Sequence, residues 1–166
     1  MTYGILASKS CLLTDLFTPV YLTSKSVIVT KNASKKNINS LADIRGKRVG
    51  VYTVSSALYY FRNSEQYDLA TKVEYYDSLN VLFTALDSNN IDAIFTDEIY
   101  ALAIIKNSKN SYKVIDSTLN SECFAVAFPI NKNNDVFLTV SSAIDKAVTD
   151  GTIDEISKKW FGKNLY

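Results

Sequence analysis

A chain of 166 residues with 47% hydrophobic side chains can build one sizeable α/β core, and this composition excludes a disordered or collagen-like polymer. Eighteen basic residues against seventeen acidic ones leave a net charge of +1. No long run of like charge marks a nucleic-acid or membrane-surface binder, so the expected partner is a small molecule or another protein. The longest apolar stretches, such as Tyr100 to Ile105, fall far short of the roughly 20 residues a bilayer-spanning helix needs.

In chain order, the β-branched run Ser26 to Thr30 reads as a strand and the polar stretch Lys31 to Asn39 as an exposed loop. Ser40 to Asp43 predicts a short N-capped helical turn, with Asp43 where negative charge suits the helix dipole and Gly46 as its stop. Strands are then expected at Lys47 to Tyr52, Lys72 to Tyr76 and Ile91 to Phe95. Helices fall between and after them at Ser55 to Arg62, Ser78 to Asp87 and Glu98 to Lys106. The third of these strands precedes the last of these helices. Val81, Leu82, Ala85 and Leu86 form the predicted apolar face of the second helix.

Two further strands, Tyr112 to Ile115 and Cys123 to Phe128, are followed by helical patterns at Asn134 to Asp150 and Thr152 to Trp160, broken at Gly151. Strands separated by single helices imply an α/β fold with a doubly wound, mainly parallel sheet.

Catalytic machinery is hard to assemble from these residues. With no histidine, the usual general base, the usual zinc ligand and the Ser-His and Cys-His nucleophile pairs are all excluded. Gly46-Lys47-Arg48 lacks the remainder of a phosphate loop, and Gly50 stands alone where a dinucleotide fingerprint needs three glycines. No cofactor, no metal and no enzymatic activity are expected. Cys11 and Cys123 read as unpaired structural thiols, with one disulfide as the alternative.

Two strand ends carry the binding chemistry. Ligands of open α/β sheets sit at the carboxyl ends of strands, where a following helix offers unpaired N–H groups. Thr53, Ser55 and Ser56 occupy one such end and Asp97 another, a combination suited to a zwitterion if the strands are neighbours. The plainer alternatives are that Ser55 and Asp97 each cap their own helix. Tyrosines, Tyr21 among them, could wall a pocket, whereas Trp160 reads as a helix-end anchor.

Four stretches, in order, resemble family 3 of the bacterial extracellular solute-binding proteins. They are Asp15-Leu16-Phe17-Thr18-Pro19-Val20-Tyr21, Ser40 to Val51, Ala85-Leu86 through Ile91-Asp92-Ala93, and Asp150-Gly151-Thr152-Ile153 followed by Lys159-Trp160-Phe161-Gly162. The resemblance implies a periplasmic-binding-protein-like fold whose two lobes close on an amino acid or similar polar solute. It also implies an extracytoplasmic setting and a membrane permease as partner in ABC-type import. The alternative is an extracellular sensing domain with a membrane-bound signalling partner. On this pattern residues 1–25 are a remnant of the first lobe, 26–119 the ligand-gripping second lobe, and 120–166 the return to the first lobe. The rest of the first lobe would precede the chain, and an unfinished lobe would favour a homodimer. The family's ligand turn falls on Val54-Ser55-Ser56 and its amine-binding aspartate on Asp97, supporting the ligand-binding set Thr53, Ser55, Ser56, Asp97 and Tyr21. Two departures stand out: Val54 replaces the turn's glycine, and Ser10 falls where an arginine would clamp the ligand carboxylate, leaving "small polar solute" as the expectation.

Overall fold

The computed structural model describes residues 2–6, 15–130 and 134–166, so Ser10 and any pairing of Cys11 with Cys123 lie outside the described residues. The chain divides into two compact units, Lys25–Ser121 and a smaller one made of Met1–Ser24 with Glu122–Tyr166. Strands β3 (Leu22–Lys31) and β7 (Tyr112–Pro129) run from one unit into the other.

The larger unit is built on β3, β4 (Arg48–Tyr52), β5 (Lys72–Tyr76), β6 (Ala93–Asp97) and the first half of β7, in the order β7-β3-β6-β4-β5. Helices α1 (Ala57–Arg62) and α2 (Glu65–Leu69) link β4 to β5, and α3 (Leu79–Asp87) links β5 to β6. Each crossover returns the chain to the same end of the sheet, so β4 runs parallel to both β5 and β6, with Val51 opposite Phe95. Strand β3 reaches β4 through a loop and a 3-10 turn (Leu41–Ile44) instead of a full helix, and it runs antiparallel to β6. Helix α4 (Glu98–Ile105) leads from β6 towards β7.

Alternation along the strands feeds two cores. Ile28, Val49, Val51 and Phe95 pack with Ile38, Ile44, Leu58 and Phe61 on one face. Val27, Val29 and Ile94 pack with Leu82, Phe83, Leu86 and Ile91 on the other. Strand β6 is buried along its whole length. Gly50 in β4 faces the second core, and a Cβ there would come 2.4 Å from Ile91 Cδ1 and 2.6 Å from Leu82 Cδ1. Glycine at that position is what lets α3 lie close against the sheet.

Several elements depart from the sequence reading. Val81, expected on the buried face of α3, is 55% exposed, and Phe83 takes the core position instead, meeting the Tyr112 ring edge-on at 5.3 Å. The segments Tyr112 to Ile115 and Cys123 to Phe128 are parts of one 18-residue strand. Its polar middle is held by the Ser117 hydroxyl, which donates to the Ser26 carbonyl at 2.7 Å, and by the Lys25–Asp116 ion pair. Thr118 there takes φ +61°, an uncommon value for a β-branched residue. Helix α2, short and polar, carries no apolar period to betray it. The 3-10 turn is capped as its sequence suggests: the Asp43 carboxylate accepts from the N–H groups of Asn39 and Ser40, both at 2.9 Å.

In the smaller unit, β1 (Thr2–Leu6) and β2 (Asp15–Phe17) each pair antiparallel with the second half of β7. Helices α5 (Asn134–Thr149) and α6 (Thr152–Phe161) follow, separated by Gly151 at φ +83°. The Ser157 hydroxyl donates to the Lys163 carbonyl and accepts from Leu165 N–H, fastening the tail to α6. Val136, Leu138, Ile156 and Trp160 are exposed, so Trp160 does not anchor its helix end by burial. Cys123 is exposed too, not packed as a small hydrophobe.

Candidate functional site

The register Val51 to Phe95 between β4 and β6 sets the turn after β4 beside the last residue of β6. Four hydrogen bonds then converge on the Asp97 carboxylate. Oδ2 accepts from the Ser55 hydroxyl at 3.0 Å and from Ser56 N–H at 3.1 Å. Oδ1 accepts from the Ser56 hydroxyl at 3.0 Å and from Ala57 N–H at 2.9 Å. These four bonds match the lone-pair capacity of an ionised carboxylate.

Neither serine caps its own helix, and Asp97 does not cap α4. Instead Asp97 caps α1 from across the sheet, feeding on donors that the helix start leaves unpaired. Ser55 is locked, because its hydroxyl oxygen also accepts from Asp97 N–H at 3.1 Å. Ser56 is less buried than Ser55.

Asp97 is 4% exposed, and among the described residues no lysine or arginine forms an ion pair with it. Among the described residues, the donors on its carboxylate are all neutral. Such a group favours a cation at close range far more than a carboxylate already paired with a base.

Thr53 is exposed beside this cluster, with its N–H given to the Tyr76 carbonyl at 2.9 Å. Val54, standing where the resemblance expects glycine, is 67% exposed. Tyr21 belongs to the other unit, where its N–H donates to the Phe124 carbonyl and burial pushes its hydroxyl pKa up. Sequence reasoning missed the Ala57 N–H, although the start of a helix after Ser56 is the signal for it. It also missed the edge-on pair of Tyr52 and Tyr100, with ring centroids 5.2 Å apart, because the partners lie on separate elements.

Residues 14–163 match the model of the bacterial extracellular solute-binding proteins, family 3. The chain belongs to that family. It is 28% identical over 151 residues to the L-cystine-binding protein TcyJ of Escherichia coli K12, an alignment covering 91% of this chain and 55% of that protein. Among solved structures, an ancestral cationic amino acid solute-binding protein superposes with a TM-score of 0.82 at 21% identity, covering 95% of this chain and 67% of that one. An ABC uptake transporter substrate-binding protein from Streptococcus pneumoniae, solved with bound histidine, superposes at 0.74 with 25% identity, covering 98% of this chain and 67% of that one. The chain thus spans about half the length of the curated relative it matches. No helix among the described residues is long and apolar enough to cross a membrane.

Proposed function

We propose that this chain binds an amino acid or closely related small polar solute outside the cytoplasm, as the solute-binding component of an ABC importer, and catalyses no reaction. The observation that carries the reading is the Asp97 carboxylate, buried and charged, fed only by hydroxyl and backbone donors at the carboxyl ends of β4 and β6. An α-ammonium group offers the positive charge this site lacks, and it replaces the Ser56 hydroxyl on Oδ1. Ser56 and Thr53 then remain as donors or acceptors for the polar remainder of the solute. The names of the relatives support the ligand class, because one binds L-cystine and another was solved with histidine. A membrane permease is the partner this function requires.

A thermal-shift screen of the proteinogenic amino acids and L-cystine tests the reading. A ligand at about 100 times its Kd stabilises the native state by about 2.7 kcal/mol, well above detection. Asp97→Asn keeps an acceptor oxygen and removes the charge, and it is expected to weaken binding at least about tenfold. A ligand whose affinity is unchanged in D97N would show that the ammonium binds elsewhere.

A further inference from the structure

At the opposite end of the same sheet lies a concavity of about 590 Å³, lined by Lys31, Lys35, Lys36, Arg48, Asn89 and Asp92 with the apolar Leu86 and Ile91. Four cations and one carboxylate give it a local charge of +3, in a chain whose net charge is +1. The one carboxylate is already claimed. Arg48 donates to Asp92 Oδ1 from Nη2 at 2.8 Å and to Oδ2 from Nε at 3.3 Å, while Arg48 N–H reaches Oδ2 at 2.9 Å. Lys36 stands further off, 3.8 Å from Oδ1.

Lys31 is held in place by neutral groups. Its ammonium donates to the Asp87 carbonyl at 3.0 Å and to Asn89 Oδ1 at 2.6 Å, leaving one of its three protons without a described acceptor. Asn89, at φ +58°, turns the chain so that its own carbonyl accepts from Arg48 Nη2 at 2.7 Å. One residue thereby positions two cations at the pocket. The carboxylate of neighbouring Asp87 is engaged by Asn110 Nδ2 and the Tyr112 hydroxyl, and it borders an adjoining hollow.

We propose that this pocket binds a multiply charged phosphate group, whether on a free anion or on a lipid headgroup. With the Arg48 fork already committed, recognition falls to lysine ammoniums, which act as point charges and reward total anionic charge over planar shape. Phosphate and pyrophosphate are therefore favoured over acetate or chloride. The pocket lies at the amino end of β4 and β6, remote from Asp97, so the proposal does not depend on the amino-acid site.

Titration of the 166-residue chain with sodium pyrophosphate at constant ionic strength, followed by backbone amide NMR, is the test. Saturable shifts are expected at residues 31–36, 48 and 89, and K35Q/K36Q is expected to weaken them at least about tenfold. Both lysines are exposed, so an unchanged amide spectrum elsewhere reports an intact fold. D97N is expected to leave the titration unaltered. A parallel arm sediments the chain with vesicles of phosphatidylcholine containing phosphatidic acid, whose headgroup is a phosphomonoester, or of phosphatidylcholine alone. Shifts with pyrophosphate assign the site to a soluble anion; retention on the phosphatidic acid vesicles alone, lost in K35Q/K36Q, assigns it to a headgroup. Neither response, or either one unchanged in K35Q/K36Q, would overturn the proposal.

Discussion

Asp92 and Asp97 bracket the same buried strand, yet they are solved in opposite ways. Asp97 accepts from neutral hydroxyl and backbone donors, whereas Asp92 is paired with Arg48 and sits among further cations. Under the two proposals above, one strand presents a cation-binding end and an anion-binding end, separated by residues that pack. What differs is the kind of donor at each end, and the length and burial of the strand are common to both.

The sharpest way to break this comparison is to delete each carboxylate. Asp97→Ala strands two hydroxyls and two backbone N–H groups at a buried helix start, and it is expected to cost about 2–4 kcal/mol in urea unfolding. A loss under about 1 kcal/mol would mean that those donors find water instead. Asp92→Asn is expected to cost less, since its partner Arg48 is partly solvated, and its signature lies in pH dependence. Burial alone would raise the Asp92 pKa, but hydrogen bonds from the Arg48 side chain and backbone overcome it and hold the carboxyl below its ordinary value. The group therefore adds stability above its unfolded pKa of about 4, and that increment disappears as pH falls through the lower folded value. Unfolding followed between pH 2 and pH 6, on the order of one measurement per half unit, should show a flatter acid limb in D92N. An unaltered limb would remove Asp92 from the account.

The smallest effect is expected between the two ends. Thr96 Oγ1 is fully buried with no hydrogen-bond partner among the described residues. Thr96→Val keeps the shape and removes the orphaned hydroxyl, so it should be neutral or stabilise by up to about 1 kcal/mol. A clear loss in chemical denaturation would show that the hydroxyl is satisfied after all.

Local chemistry was the legible part of this chain. Strand β5, the Ser40–Asp43 cap and the break at Gly151 each depend on residues adjacent in sequence, and a reading of spacing finds them. The convergence on Asp97 was less legible. Ser55 and Ser56 stand out as a helix start and Asp97 as a strand end, but four bonds joining residues about 40 positions apart require the β4–β6 register. The cationic pocket escaped for the same reason, since Lys31, Arg48 and Asn89 meet only once the sheet is formed. Val81 and Phe83 illustrate a different limit: both are apolar but lie on different faces of α3, and the buried one, Phe83, packs against Tyr112 from a distant strand.

Strand β7 has a consequence for the order of events in folding. It lies beside β3, and the Ser26–Ser117 contact ties residues 91 positions apart. Until that late segment arrives, β3 presents an open edge next to the fully buried β6. Closure of so long a loop is slow, which makes β7 the expected rate-setting element and the interval before it docks the period of greatest exposure to misassociation.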